Sequence, residues 1–257
     1  MGTDLKLEIG TLYAFLLVLV RVSGVFVFVP LPGINAGPGV IRAALAGSIT
    51  LALLPLWPVI PSAGLSFGTL VGWMLAEAGL GIGVGVAVAF LTEIFQMGAQ
   101  IISLQAGYSF ASTVDPTSGA DSSVMLAIAQ TVAGLLFFAT GLDHQVLRAF
   151  AQSLSVHPPG QILLTTSMAN QVIQTGSAIF STGLRLVLPL LAMLLIVDLS
   201  LALLGRLNSQ LQLITLAFPI KMLLSLGLLA WLLLVFPKVF LQAWSPILRL
   251  IRQLLLA

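Results

Sequence analysis

Long apolar segments dominate the pattern of hydrophobic and polar positions along this chain. A helix needs about 20 mainly apolar residues to cross roughly 30 Å of hydrocarbon, and five or six segments approach that length. The pattern therefore predicts an all-α fold of integral-membrane type, with five to six long apolar helices. The segments are Ile9 to Val29, Ala43 to Ile60, Phe67 to Phe95, Val124 to Gly141, Val172 to Leu204, and Leu211 to Phe236.

Two of these segments raise questions of processing and shape. The first is too long for a cleaved signal peptide and its flank (Asp4, Lys6, Glu8) is not a positive n-region, so we expect it to stay in the mature protein. The fifth has 33 residues and contains Pro189. It is either one long kinked helix or a hairpin that enters and returns.

Two further segments are amphipathic. Residues 238–257, after Pro237, predict a C-terminal amphipathic helix that lies along a surface. Between Asp143 and Pro158, helical spacing of apolar residues predicts a short helix that docks on membrane or on a partner. The apolar positions are Phe240, Trp244, Ile247, Leu248, Ile251, Leu254 and Leu255 in the first, and Val146, Leu147, Phe150 and Leu154 in the second.

The composition agrees with a membrane environment. Only 18 of 257 residues are charged, 59% are hydrophobic and the mean hydropathy is +1.14, which excludes a soluble monomer. The ten Lys and Arg residues form no cluster, so nucleic acid is not an expected partner. The absence of cysteine excludes disulfides and thiolate metal sites. No linker or repeat divides the chain, which predicts one domain, residues 1–257.

Six charged residues lie inside the apolar segments, where each would cost about 2.5–3.5 kcal/mol at the centre of a bilayer. One interpretation is that they form ion pairs between helices of one bundle. The other is that this surface is buried against other subunits or lines a watery passage. Two of them, 13 residues apart on the fifth segment, are about 220° apart around a helix and cannot pair with each other. The six are Arg21, Glu77, Glu93, Arg185, Asp198 and Lys221.

Four glycines alternate along the third apolar segment. Gly79 with Gly83, and Gly81 with Gly85, have the four-residue spacing that lets helix backbones approach closely. Close helix packing is the interpretation that we favour over a flexible hinge.

Catalytic patterns are missing from the sequence. His144 and His157 lie 13 residues apart without an H-E-x-x-H motif, and Ser109 lacks the second glycine of a nucleophile elbow. Glu77 and Glu93 are 16 residues apart, too far for glycoside chemistry. No Walker motif is present. We therefore expect neither an enzyme nor a cofactor or metal site.

The loop from Gln100 to Asp121 carries the most specific sequence. It reads Q-I-I-S-L-Q-A-G-Y-S-F-A-S-T-V-D-P-T-S-G-A-D. A loop with this many apolar side chains should be shielded from water, either by the helices of its own bundle or as a plug in the lumen of a larger assembly. Residues 105–116 within it, Q-x-G-x-S-F-A-x-x-V-D-P, occur together with G-R-L-N-x-Q-L-Q at 205–212, Phe218-Pro219, and an early Arg21 and Arg42. This combination resembles the FliR family, the export-gate subunits of the bacterial flagellar type III secretion apparatus, over almost the whole chain.

The resemblance implies a fold of bent helical hairpins and a place in a hetero-oligomeric gate with FliP and FliQ, through which unfolded flagellar proteins leave the cytoplasm. FlhB and FlhA are implied nearby. The gate belongs to the inner membrane of the flagellar basal body and stands largely on its periplasmic side. The loop of about residues 105–121 is implied as the pore-closing segment, with Thr113 where some relatives carry a bulkier apolar residue. Its expected site residues are Gln105, Gly107, Tyr108, Phe110, Val114, Asp115 and Pro116.

Three alternatives remain at this point. An injectisome export-gate homologue would share the loop. A small proton-coupled secondary transporter would use Glu77, Asp198 and Lys221 to relay protons or bind solute. An intramembrane hydrolase would need a catalytic set that the sequence does not offer.

Overall fold

The computed structural model describes residues 9–29, 39–58, 60, 66–108, 123–161, 165–207 and 213–256. These residues form helices and short connections, without any strand, which confirms the all-α prediction. The helices are α1 (Ile9–Phe26), α2 (Gly39–Ala52), α3 (Phe67–Ala106), α4 (Ser123–Ala139), α5 (Leu142–Val156), α6 (Thr166–Leu207) and α7 (Leu213–Leu256), with a 3-10 turn at Leu54–Leu56.

Four helices are long and apolar enough to cross a membrane, and the bent pair α4 and α5 makes a fifth if it counts as one span. The sequence predicted five or six. The difference lies in the segment Ala43 to Ile60, because α2 ends at Ala52 after 14 residues. Pro55, in the 3-10 turn, and Pro58 lack the N–H groups that a longer helix would need there.

Three helices are much longer than one span. The structure has α6 as a continuous helix of 42 residues with Pro189 inside, which settles the choice between a helix and a hairpin. At 1.5 Å per residue α6 is about 63 Å long. With 40 and 44 residues, α3 and α7 are about 60 Å and 66 Å long. Each is about twice the thickness of a hydrocarbon core.

The expected C-terminal helix is part of α7, which continues through Pro237 instead of beginning after it. Its two faces follow the amphipathic pattern of the sequence, but the apolar face packs against protein. Six of its seven apolar positions are buried, whereas Leu248 is half-buried. The exposed polar positions are Lys238, Gln242, Ser245, Arg249 and Arg252.

The described residues fall into two compact units. Unit 1 comprises Met1–Phe90, Phe137–Gly176 and Ser245–Ala257, and unit 2 comprises Leu91–Leu136 and Ser177–Trp244. That the chain acts as a single domain stays a prediction.

Each unit has its own apolar core. In unit 1, Ala14 and Leu17 of α1 are buried with Ile60 and covered by half-buried aromatic side chains. In unit 2, the ring of Phe95 on α3 stacks on that of Phe236 on α7, with centroids 3.9 Å apart.

Candidate functional site

Unit 1 contains a buried ionic network that joins α1, α3 and the end of α5. The Arg21 Nε donates to Glu77 Oε2 at 2.5 Å, and neither side chain is exposed. Two other Arg21 nitrogens donate to Ser153 Oγ at 3.1 Å and to the carbonyl oxygen of His157 at 3.2 Å. The backbone N–H of Gly160 donates to Glu77 Oε1 at 3.0 Å. Both charges are therefore paired and also hydrogen-bonded, as buried charges require.

Small residues bring α1 and α3 close enough for this network. A Cβ atom added at Gly81 would overlap the carbonyl oxygen of Arg21, and one at Gly24 would lie 2.8 Å from the backbone nitrogen of Ile82. One at Gly85 would lie 2.9 Å from the carbonyl oxygen of Gly24. The close approach therefore occurs at the Gly81 and Gly85 pair of the alternating glycines.

Gly83, of the other pair of glycines, has looser surroundings. A Cβ atom at Gly83 would lie 3.6 Å from Leu254 Cδ1, which is an ordinary van der Waals contact, and Gly79 is half-buried. A packing role for Gly79 and Gly83 stays a prediction.

Unit 2 contains a second ionic network, at the point where α3 leads into the expected pore-closing loop. The carboxylate of Asp198 on α6 forms an ion pair with the ammonium group of Lys221 on α7. Gln105 Nε2, in the last turn of α3, donates to Asp198 Oδ2 at 3.0 Å. Lys221 Nζ also donates to the carbonyl oxygen of Gln105 at 3.4 Å. The pair thus binds both the side chain and the backbone of Gln105.

The C-terminus of α3 is formed by a glycine in the left-handed region. Gly107 has φ +87°, its N–H donates to the carbonyl oxygen of Leu104, and the N–H of Tyr108 donates to that of Ser103. This is the Schellman arrangement, which favours glycine at this position. The Tyr108 hydroxyl then donates to the carbonyl oxygen of Met222 on α7 at 3.2 Å. The first two residues after α3 are therefore held by a cap and by α7.

The rest of the loop lies outside the described residues. This concerns four expected site residues and the position noted for its variation among relatives: Phe110, Val114, Asp115, Pro116 and Thr113.

The six charged residues of the apolar segments separate into two kinds. Arg21 and Glu77 pair in unit 1, and Asp198 and Lys221 pair in unit 2, so each of these ion pairs joins two helices of the same unit. Glu93 and Arg185 are exposed instead. Neither has an ion-pair partner among the residues that the structure describes. An inter-subunit role for any of the six stays a prediction.

The sequence reasoning missed several members of these networks. Ser153 is a polar residue on the buried face of α5 beside Phe150 and Leu154, and that position was a usable signal. The backbone groups of His157 and Gly160 leave no such signal, because every residue has them. Within the described ranges, no three His, Asp or Glu side chains are grouped as a metal ion would need.

The comparisons with known proteins agree with this architecture. The family model described as "Bacterial export proteins, family 1" matches residues 12–247. A flagellar biosynthetic protein FliR of Escherichia coli K12 is 30% identical over 213 residues, which cover 82% of this chain and 81% of that protein. A FliR of Caulobacter vibrioides is 29% identical over 85% of this chain and 87% of its own length, and one of Bacillus subtilis is 26% identical over 82% and 83%. The chain therefore belongs to family 1 of the bacterial export proteins, the family that includes the flagellar biosynthetic protein FliR.

Proposed function

We propose that this chain is a non-enzymatic subunit of the flagellar export gate, which with FliP and FliQ forms the channel for unfolded flagellar proteins. The loop of residues 105–121 closes that channel in the inner membrane, and the gate protrudes on the periplasmic side next to FlhB and FlhA. Family membership and four to five helices of membrane length support an export component in a membrane. The three relatives compared above are all flagellar proteins, which favours the flagellar over the injectisome system.

The observation that carries the closing role is the anchorage of the loop at its N-terminal end. The Asp198–Lys221 pair binds Gln105, and Tyr108 binds the backbone of α7. A segment that obstructs a pore has to resist displacement by water and solutes, so its end must be fastened to rigid elements. Two long helices, α6 and α7, provide that fastening.

The chemistry of the loop fits an obstruction. Tyr108, Phe110, Ala111 and Val114 alternate with small polar residues. A ring of apolar side chains in a narrow passage excludes water, and without water ions do not pass. An exported chain brings its own side chains and can displace such a segment without covalent chemistry.

The test is an ion-leak measurement on membranes that contain the complete gate. Phe110→Gly, or deletion of residues 106–112, should leave the gate assembled and make the membranes leaky to ions. Phe67→Gly is the matched control, because it removes an equally large side chain at a position 82% exposed at the start of α3. Assembled gates that stay impermeable after the deletion would refute the closing role.

A secondary transporter would behave differently. It would take up solute when reconstituted alone and would lose uptake when Glu77 is replaced. Both carboxylate oxygens of the buried Glu77 are bound within the protein, to Arg21 and to the backbone of Gly160, which argues against a carboxylate that faces a solute path. Uptake by the isolated chain would contradict the gate assignment.

A further inference from the structure

The exposed face of α3 changes its chemical character along the helix. In the first half, the exposed side chains are apolar after Thr69 in the first turn, with Leu75 67% and Ile82 44% exposed. In the second half, Glu93 and Gln100 are exposed and Gln96 is half-exposed, and the apolar Leu104, 57% exposed, follows in the last turn. At 100° per residue these three side chains lie within an arc of about 60°. We call Glu93, Gln96 and Gln100 the polar stripe.

The polar stripe continues onto a neighbouring helix within unit 2. Gln130 Nε2 on α4 donates to Gln96 Oε1 at 2.9 Å. The carboxylate of Glu93 and the amide of Gln100 have no hydrogen-bond partner within the described part of the chain. The stripe therefore offers free donors and acceptors at its exposed positions.

Hydrocarbon is an unsuitable neighbour for this surface. Only 7% of the residues of this chain are charged, and many other exposed side chains of unit 2 are apolar, such as Leu195, Ile196 and Leu199 on α6, each about 60% exposed. A carboxylate and two amides on adjacent turns of one helix face would each lose hydrogen bonds to water in lipid. Water can satisfy the hydrogen-bonding groups of all three.

The stripe also leads to the pore-closing loop. Gln100 is five residues before Gln105, where the Asp198–Lys221 pair binds the end of α3. On the same helix, the polar stripe and the anchored start of the loop are thus separated by little more than one turn.

We propose that the polar stripe lines the aqueous conduit of the gate and contacts the exported chain. This inference rests on the proposed gate function. The partner is an unfolded polypeptide, whose backbone exposes N–H and C=O groups whatever its sequence. Glutamine side chains both donate and accept hydrogen bonds, so they bind and release such a backbone without sequence preference. The carboxylate of Glu93 adds a negative charge to the conduit wall.

Cysteine accessibility tests the stripe directly, because the chain has no cysteine of its own. Glu93→Cys, Gln96→Cys and Gln100→Cys are introduced singly into the complete gate in membranes and exposed to a charged, water-soluble thiol reagent. We expect labelling about tenfold or more faster than for Ile82→Cys, the matched exposed apolar position on α3. Leu91→Cys, with its side chain fully buried, gives the background.

Two labelling results would overturn the inference. Equal rates at Ile82→Cys and at the stripe would show that the stripe is not distinguished from the rest of the helix surface. Labelling of the stripe in the isolated chain, with none in the assembled gate, would show that another subunit covers it.

The ion-leak measurement separates this inference from the closing role. If loop deletion makes the gate leaky while the stripe is not labelled, the gate function stands and the conduit wall lies elsewhere. If the stripe is labelled while loop deletion causes no leak, the conduit wall stands and the closing role fails. In the leaky deletion variant, Glu93→Gln should lower the preference for cations over anions severalfold, because it removes a negative charge from the wall. An unchanged preference would contradict the position of Glu93 in the conduit.

Discussion

The guanidinium group of Arg21 and the carboxylate of Glu77 meet at 2.5 Å, with both side chains completely buried. Arg21 lies on α1, and Glu77 lies on α3, 56 positions further along the sequence. Ser153 and the backbone of His157 accept two further hydrogen bonds from Arg21, and the backbone N–H of Gly160 donates to the second oxygen of Glu77. The pair therefore connects three parts of unit 1 through one site.

Replacing one member of this pair should destabilise unit 1 strongly. Glu77→Leu leaves the Arg21 charge buried without its counterion, and we expect a loss of about 3–5 kcal/mol. The double variant Arg21→Met with Glu77→Leu should recover a large part of that loss. Thermal unfolding of the purified protein measures both. Glu93→Gln, at an exposed position, is the control, and a Glu77→Leu protein as stable as that control would contradict the argument.

The glycines of α3 should differ in their tolerance of alanine. Gly81→Ala places a methyl group against the carbonyl oxygen of Arg21 and should separate α1 from α3. Gly83→Ala meets only Leu254 at van der Waals distance and gains helix propensity, so it should be neutral or slightly stabilising. The difference in unfolding temperature between the two variants is the measurement, and equal effects would be inconsistent with the close approach at Gly81.

The Asp198–Lys221 pair should control leak through the loop. Asp198→Leu removes the acceptor of the Gln105 side chain and leaves Lys221 without its counterion, so we expect an increased ion leak from assembled gates. Asp198→Asn keeps a side-chain oxygen that can accept from Gln105 Nε2, so it should leak less than Asp198→Leu. Ser200→Ala, an exposed position on α6, serves as the control. Leak at the wild-type level in an assembled Asp198→Leu gate would count against the anchorage.

Two glycines with positive φ allow a matched comparison. Gly107 ends α3 with φ +87°, and Gly141 lies between α4 and α5 with φ +69° and no atom within 4 Å of an added Cβ. Alanine at either position should cost about 1 kcal/mol of stability because of the left-handed backbone. Only Gly107→Ala should also raise the ion leak, since it shifts the start of the loop. A leak of equal size in both variants would point to general destabilisation instead.

The sequence predicted the all-α fold and identified the charged residues within the apolar segments. Both follow from local properties, namely the period of the apolar positions and the hydropathy. It also predicted that Arg185 and Asp198 do not pair with each other, and in the structure Asp198 forms its ion pair with Lys221. The continuation of α7 through Pro237 was not predictable from the segment itself. Buried side chains on both sides of that proline, such as Phe236 and Phe240, favour the continuous helix through tertiary packing.

The partners of Arg21 mark the limit of sequence reasoning. Glu77 could be named as a candidate because a buried cation needs an anion. The carbonyl oxygen of His157 and the N–H of Gly160 could not, since their roles depend on how the chain turns after α5. Similarly, Gln105 belonged to a recognisable motif, but its contact with Asp198, 93 positions away, required the fold.

The lengths of α3, α6 and α7 bear on how cells handle a newly made copy. Helices of about 60–66 Å cannot place their whole apolar surface in a layer about 30 Å thick. A copy of the chain without partner subunits would therefore expose apolar surface to water, and quality-control proteases would act on it. We expect the lifetime of the protein in cells to depend on the amount of its partner subunits. Without them, the newly made chain should be degraded rapidly.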